Sequence, residues 1–332
     1  MAIDRCLVFA VVAGSLGAAF VLDRLWGDPA EGSAAERWYP PVIVGRAAGA
    51  IESRVRRGDP AHERRWGTVG FLALVGVAAL LAVGLALLVG ATLPGLSATT
   101  AVAGALVGAV SLGFGIFWLK STFAVRTLEW FCTRPLGRPL DEMRRDVSVV
   151  VNRPVAELPA DLLYSALVES AFENTTDSIV SPLLAYSLLG LPGAVAYRAI
   201  NTLDALWGHR EPRWRYFGAF TARVDTAVNW LPDRLASVLL RAVSGRTYTE
   251  PAIERVDPEA KVPSTIRTAA GLLHVRLERR GSYVIADGWP RPTPDDVRRT
   301  VRWVRRASGL MLLLSVAMIG ALTDVGWTYF LH

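Results

Sequence analysis

Long uncharged stretches alternate with arginine-rich stretches along this chain. Four long stretches contain no charged residue: 6–22, 67–119, 178–197 and 307–323. A helix needs about 20 apolar residues to cross a bilayer, so the second stretch is long enough for two crossings. Pro94-Gly95 predicts a turn between those two. The pattern therefore predicts four transmembrane helices, at 6–22, 69–92, 98–119 and 307–323.

The apolar stretch 178–197 is interpreted differently because helix-breaking residues interrupt it. Pro182 and the run Leu191-Pro192-Gly193 lie inside it. A crossing here would also place the many arginines of 198–306 outside the cell, against the positive-inside rule. The stretch is therefore predicted to be a re-entrant or surface-embedded hairpin. The arginine-rich regions 24–65 and 126–306 would then face the cytoplasm, and both chain ends would lie outside.

Composition agrees with this interpretation. Of the 332 residues, 52% are apolar, which is high for a soluble protein. The net charge of +6 comes from arginines beside the apolar stretches, so membrane topology explains it better than nucleic-acid binding does. The sequence predicts a mainly α, polytopic integral protein of the cell membrane, multi-pass and with its active face toward the cytoplasm. It is predicted to form a single membrane domain over 1–332, with a cytoplasmic helical region at 141–306 that carries the active site.

Two shorter patterns occur near the end of the chain. Partial alternation of polar and apolar residues in 272–285, around Arg280-Gly281, predicts a short β-hairpin. Thr293, followed by Asp295 and Asp296, predicts the N-cap of a helix that leads into the last span.

Acidic side chains precede the uncharged stretch 178–197. If 161–177 is helical, Glu169, Glu173 and Asp177 recur at every fourth position and share one face. Like charges at this spacing repel by roughly 0.2–0.5 kcal/mol per pair, which favours a cation or a basic partner beside them. A solvated helix face is the alternative interpretation.

A second polar group follows the same stretch. Its amide, acidic and basic members are Asn201, Asp204, Arg215, Arg223, Asp225 and Asn229. Carboxylate and amide oxygens suit magnesium, and arginine forks pair with phosphate. The group therefore predicts a site for a magnesium nucleotide or a phosphorylated substrate. The alternative interpretation of the arginines is that they set the membrane topology as positive loop charges or form salt bridges.

Four motifs follow one another in this part of the chain: E-N-T-T-D at 173–177, N-T-L-D at 201–204, R-Y-F-G at 215–218 and A-R-V-D-T-A-V-N-W-L-P at 222–232. Through them the chain resembles the CobD/CbiB family, the adenosylcobinamide-phosphate synthases of cobalamin biosynthesis. Weaker similarity occurs at Gly27-Asp28-Pro29, at Arg145-Asp146 and over 275–299.

The resemblance implies a membrane-bound carbon–nitrogen ligase. Such an enzyme joins adenosylcobyric acid to an amino alcohol or its phosphate, of the aminopropanol type, using ATP and magnesium and no bound prosthetic group. The implied partners are these substrates and the lipid bilayer, with other membrane enzymes of the nucleotide-loop pathway as further candidates and no nucleic acid.

The candidate residues fall into three overlapping sets. The catalytic set is Glu173, Asn174, Asp177, Asn201, Asp204 and Asp225. The set for substrate or phosphate binding is Asp28, Arg215, Arg223 and Asn229. The hypothetical magnesium ligands are Glu173, Asp177 and Asp204.

Two alternatives to an active synthase stay open. Where family members carry S-P-N-(A/S)-G-W-P, residues 263–269 read P-S-T-I-R-T-A and lack the asparagine. Because of this departure, one alternative is that the chain is a divergent relative with altered substrate or lost activity. The other alternative is a non-catalytic transporter or scaffold, although the clear spans hold almost no ionisable residues, which transport usually requires.

Overall fold

The computed structural model describes residues 5–56, 58–92, 101–151, 153–209, 211 and 213–324. The helices formed within these residues are α1 (Arg5–Trp26), α2 (Pro40–Val55), α3 (Pro60–Thr92), α4 (Ala101–Lys120), α5 (Arg126–Thr133), α6 (Leu140–Ser148), α7 (Ala160–Thr175), α8 (Ser181–Trp207), α9 (Ala219–Val228), α10 (Trp230–Ser244), α11 (Ser264–Leu273) and α12 (Pro294–Asp324). A π-helix, Thr176–Val180, lies between α7 and α8. The strands are β1 (Ile253–Arg255), β2 (Leu277–Arg279) and β3 (Tyr283–Ile285).

Four stretches of helix are long and apolar enough to cross a membrane: α1, Pro60–Ala91, Ala160–Trp207 and α12. The predicted spans 6–22 and 307–323 lie within α1 and α12, and the predicted span 69–92 lies within Pro60–Ala91 except for its last residue. This confirms a mainly α fold with several helices that could span a membrane. The predicted span 98–119 falls on α4, of which Leu106–Lys120 is a shorter apolar helix. Residues 98–100 and the predicted turn at Pro94-Gly95 lie outside the described residues.

Helix caps explain why α3 and α12 begin well before their apolar stretches. Proline suits the first turn of a helix, and Pro60 opens α3 just after Asp59, whose carboxylate accepts the His62 N–H at 2.7 Å. At α12, the Thr293 N–H donates to Asp296 Oδ2 at 3.0 Å and the Asp296 N–H donates back to Thr293 Oγ1 at 3.4 Å. This reciprocal capping confirms the predicted N-cap.

The uncharged stretch 178–197 is helical on both sides of a break at Gly190. The φ and ψ of Gly190 are 63° and −159°, a combination that glycine alone adopts readily. Pro192 follows within the next helical segment, and Pro182 occupies the first turn of α8, where a proline is tolerated. The break therefore falls at the glycine and not at either proline. The cytoplasmic position of this segment stays a prediction.

The chain divides into two compact units. The first unit comprises Met1–Ala124, Ser181–Asn229 and Leu312–His332. Its helices α2, α3 and α8 pack against one another, α9 packs against α3 and α8, and α4 packs against α1, α3 and α8. A core of Ala48, Phe71, Leu203, Trp207 and Phe217 joins α2, α3, the end of α8 and the loop that follows α8.

The second unit comprises Val125–Val180 and Trp230–Met311. Helix α7 packs against α5, α6, α11 and β2 in this unit. The strands form an antiparallel sheet in the order β1-β3-β2, so the hairpin predicted at 272–285 is confirmed as β2 and β3. Strand β1 was not predicted, since its three residues lie in a polar loop without a period-2 pattern.

Candidate active site

The three acidic residues spaced four residues apart, two on α7 and one in the π-helix, separate into one buried and two accessible carboxylates. Glu169 is buried, whereas Glu173 is exposed and Asp177 is half-buried. Glu169 is therefore part of the buried interior of the second unit. The carboxylates that a ligand can reach are the two of the E-N-T-T-D motif.

Glu169 is held by three partners within the second unit. Its carboxylate accepts hydrogen bonds from Ser165 Oγ and Tyr283 Oη, both at 2.8 Å, and lies 3.3 Å from an Arg153 guanidinium nitrogen. Burial, reinforced by the Glu169 carboxylate, raises the pKa of Tyr283 above its ordinary value. Tyr283 is consequently a neutral hydrogen-bond donor at physiological pH.

The E-N-T-T-D motif runs from α7 into the π-helix. Asn174 is braced along its own helix: its amide nitrogen donates to the Ser170 carbonyl at 2.9 Å, and its amide oxygen accepts from Ser178 Oγ at 3.1 Å. The π-helix begins at Thr176, so the wider turn changes the direction of Asp177 relative to an ideal α-helix. Single π-helical turns inside helices occur frequently at functional sites.

Asn229 is the centre of a hydrogen-bond cluster in the first unit. Its amide oxygen accepts from Ser181 Oγ at 2.7 Å and from Tyr197 Oη at 2.8 Å. Its amide nitrogen donates to Asp225 Oδ1 at 3.1 Å. Because both ends of the amide are used, Asn229 fixes the orientation of the Asp225 carboxylate.

Helix α8 brings the N-T-L-D motif onto the same face as this cluster. Tyr197, Asn201 and Asp204 recur at i, i+4 and i+7 and therefore share one face of the helix. On this face, the Tyr197 hydroxyl donates the hydrogen bond to Asn229 Oδ1. The preceding residue, Arg198, donates to Asn201 Oδ1 at 3.3 Å. The N-T-L-D motif therefore lies on the same face of α8 as Tyr197, and α8 packs against α9, which carries Asp225.

Close packing explains the glycines around the R-Y-F-G motif. A Cβ at Gly218 would lie 1.6 Å from the Trp207 carbonyl oxygen, and a Cβ at Gly67 would lie 2.0 Å from that of Phe217. At Gly208 a Cβ would lie 2.0 Å from Asp204 Oδ1. Only glycine permits these approaches, so the loop after α8 is held against α3 and the end of α8.

The two predicted phosphate-binding arginines are both exposed. The Arg215 guanidinium lies 6.0 Å from the ring centre of Tyr216, and the Arg64 guanidinium lies 5.0 Å from the same ring. Arg223 lies on α9, two residues before Asp225. Arg215 and Arg223 are therefore accessible to an anionic ligand.

Asp28 belongs to a different, charge-paired cluster of the first unit. Its carboxylate contacts Lys120 Nζ, which lies 3.6 Å from Asp23, and accepts from the hydroxyl of Tyr39. Burial and the Asp28 charge raise the pKa of Tyr39, while Arg198 opposes the shift. Sequence reasoning missed Lys120 and Tyr39. The available signal was that Lys120 is one of two lysines and directly ends the longest uncharged stretch.

A magnesium site made only of protein side chains is not present among the described residues: no group of three or more His, Cys, Asp or Glu could hold a metal ion there. Magnesium, however, commonly takes only one or two carboxylates and completes its shell with water and substrate phosphates. The accessible pair Glu173 and Asp177 fits that mode in the second unit, and Asp204 supplies one carboxylate in the first. The magnesium ligands stay a prediction.

The altered segment 263–269 forms the capped start of α11. The Asp233 carboxylate accepts the backbone N–H of Ser264 at 2.9 Å and that of Thr265 at 3.1 Å. It also accepts the hydroxyl of Ser264 and that of Thr265. The segment therefore forms a hydrogen-bonded helix start without the asparagine. Sequence reasoning missed Asp233 because the cap comes from another helix, α10.

Comparison with known proteins gives a consistent result. The model of the family described as CobD/Cbib protein matches residues 16–311. A relative named probable cobalamin biosynthesis protein CobD, from Pyrococcus abyssi, is 34% identical over 86% of this chain and 89% of its own length. The cobalamin biosynthesis protein CobD of Geobacter metallireducens is 32% identical over 92% of this chain and 96% of its own length. No solved structure matches the chain.

Proposed function

Because the chain belongs to the CobD/CbiB family, we propose that it acts as an adenosylcobinamide-phosphate synthase. Its role in cobalamin biosynthesis follows from the family match and from the names of its relatives. The proposed reaction joins a carboxylate of adenosylcobyric acid to the amine of an amino alcohol, or of its phosphate, with ATP as cosubstrate. The aminopropanol type is the proposed acceptor.

The chemistry of amide formation sets what the site must provide. A carboxylate is a poor electrophile, so its oxygen first takes the γ-phosphoryl group of ATP, which gives an acyl phosphate and ADP. The amine nitrogen then attacks the carbonyl carbon, the carbon–oxygen bond to phosphate breaks, and the nitrogen loses a proton to a base. The protein must therefore bind phosphates, orient two substrates and accept one proton.

The observation that carries the proposal is the cluster centred on Asn229. It joins the start of α8, the Tyr197 face of α8 and Asp225 of α9 through hydrogen bonds of 2.7–3.1 Å. Functional carboxylates need such support, because a side chain held by packed neighbours keeps its geometry during turnover. The exposed Arg215 and Arg223 belong to the same unit and suit the phosphates of ATP or of the acceptor.

The accessible carboxylates Glu173 and Asp177 are the proposed base and magnesium ligands of the second unit. Asp204 is the corresponding candidate ligand of the first unit. Bound magnesium would supply neutralisation of the charge on the phosphates. Asn174, braced by Ser170 and Ser178, is proposed to orient a substrate group.

Turnover in lipid nanodiscs tests the proposal. Purified protein would receive adenosylcobyric acid, 1-aminopropan-2-yl phosphate, ATP and magnesium, and corrinoid products would be read by mass spectrometry. The expected product is heavier by the amino-alcohol phosphate minus water. Asp177→Asn and Asp225→Asn should each lower turnover by roughly 100-fold or more, the scale of general acid–base catalysis.

Glu254→Gln is the matched control, because Glu254 is an exposed carboxylate on β1 outside the proposed machinery. It should retain wild-type turnover. Folded wild-type protein that gives no amide product with any amino alcohol, phosphorylated or not, would refute the synthase. That result would favour the divergent relative and direct attention to residues 263–269.

A further inference from the structure

A cavity of about 530 Å³ lies within the second unit. Its walls come from the segment 153–158, from Leu162 on α7 and from residues 278–280 at the end of β2. None of these residues belongs to the candidate sets described above. The volume lies in the range of pockets that hold small organic ligands.

Two charged residues of the wall are already neutralised. Arg153 pairs with the buried Glu169 at 3.3 Å. Glu278 pairs with Arg276 at 2.8 Å and lies 3.6 Å from Arg291. These pairs hold the wall in place but contribute little net charge to the cavity.

The remaining charged residues give the wall a net positive charge. Arg279 and Arg280 line the cavity, and neither forms a salt bridge with a carboxylate within the described part of the chain. The wall contains one further acidic residue, Glu157, so its two positive charges exceed its one remaining negative charge. An anionic ligand would therefore be attracted.

The cavity is also partly apolar and partly rigid. Leu158 and Leu162 are buried side chains of its wall, and such surroundings strengthen electrostatic attraction relative to open water. Arg279 is directly opposite Tyr283 in the register of β2 and β3, and the Tyr283 hydroxyl is bound to Glu169. The backbone that carries Arg279 is thus braced before any ligand arrives.

We propose that this cavity binds the phosphate group of a small phosphorylated ligand through Arg279 and Arg280. Guanidinium forks match phosphate oxygens in geometry as well as charge, and paired arginines suit a dianionic phosphate. The two ligand sources with this chemistry are the amino-alcohol phosphate and the nucleotide. The inference rests on the proposed function only for the choice of these two ligands.

Calorimetric titration of the full chain in phosphatidylcholine nanodiscs tests the inference. The probes are 1-aminopropan-2-yl phosphate, ATP without magnesium, and unphosphorylated 1-aminopropan-2-ol. The variant is Arg279→Gln with Arg280→Gln. The matched control is Arg255→Gln, because Arg255 is exposed, faces Tyr283 in the register of β1 and β3, and does not line the cavity.

The expected result is at least tenfold weaker binding of one phosphorylated probe to the double variant. The control variant should stay within twofold of wild type, and the unphosphorylated amino alcohol should not distinguish the proteins. Whichever of the two phosphorylated probes responds identifies the source of the phosphate. A thermal unfolding midpoint equal to that of the control variant would show that the double variant is folded.

Equal affinity of the double variant and wild type for both phosphorylated probes would overturn the inference. A second result would also overturn the inference: the double variant loses a co-purified anionic lipid but binds both soluble probes as wild type does. The ligand of the cavity would then be a lipid headgroup. Arginine-dependent phosphate binding without amide product would refute the synthase alone. Normal turnover together with unchanged binding would refute this inference alone.

Discussion

Replacing Glu169 by glutamine removes one buried charge and keeps the size of the side chain. The Arg153 and Glu169 side chains are only 13% and 6% exposed, so the guanidinium would stay in a largely dry environment without its counter-charge. Removing one partner of a buried ion pair typically costs about 3–5 kcal/mol. The glutamine oxygen can still accept from Tyr283, and the original ion-pair contacts of 3.3 and 3.4 Å are long. We therefore expect a loss of about 2–4 kcal/mol.

Hydrogen exchange in nanodiscs measures this loss where it should occur. The opening free energy of peptides from α7 and from the β2–β3 hairpin would be compared between wild type and Glu169→Gln. Glu254→Gln on β1 is the control, because a substitution on the surface should change stability by less than about 0.5 kcal/mol.

The double variant Glu169→Gln with Arg153→Gln makes the test sharper. Removing both charges leaves no uncompensated ion, so the double variant should be less destabilised than the sum of the two single variants by at least about 1 kcal/mol. Strictly additive losses, or a single-variant loss below about 0.5 kcal/mol, would refute the assignment of Glu169 to a structural ion pair.

Three further predictions concern other polar groups that are buried or half-buried. Asp233→Asn should weaken the start of α11 by about 2–3 kcal/mol, because an amide NH2 replaces an oxygen that accepts two of four donors; unchanged hydrogen exchange over 264–268 would contradict this. Lys120→Met should destabilise the first unit by about 3–5 kcal/mol, because it removes the buried cation that pairs with the carboxylates of Asp23 and Asp28. An unchanged thermal unfolding midpoint in nanodiscs would contradict this. Burial, with Glu169, raises the pKa of Tyr283, so its stabilising contribution is complete below pH ~10 and is lost as the pH rises above that value. Tyr283→Phe should therefore reduce the alkaline loss of stability between pH 9 and 11, and an identical pH profile would count against this.

Helix positions were predictable because they follow from local chemistry. The uncharged stretches contain too many consecutive apolar residues for a soluble helix, and three of the four predicted spans lie inside long apolar helices. The cap at Thr293 and the hairpin around Arg280-Gly281 were likewise predictable from a few neighbouring residues. The cap and the hairpin both depend on contacts between residues that are close in sequence.

The roles of individual polar residues were less predictable. Glu169, Glu173 and Asp177 have the same spacing in sequence, yet Glu169 alone of the three is buried. Its partners Arg153 and Tyr283 are 16 and 114 residues away, so no local pattern could distinguish it from the other two. The sequence predicts interruptions of the helix at Pro182 and at the run Leu191-Pro192-Gly193, because proline is a strong helix breaker. The structure places the break at Gly190 instead.

The class of the protein follows from its sequence: a helical chain of the CobD/CbiB family, recognised through four ordered motifs, with several helices long and apolar enough to cross a membrane. Hydrophobic length and short motifs are encoded by adjacent residues, which is why they can be recognised without a fold. Tertiary structure alone decided that Asn229 orients Asp225, that Lys120 neutralises Asp28 and that Arg279 and Arg280 line a cavity. Those assignments depend on which distant side chains become neighbours once the helices pack, because a buried charge or amide takes its role from the partner that satisfies it.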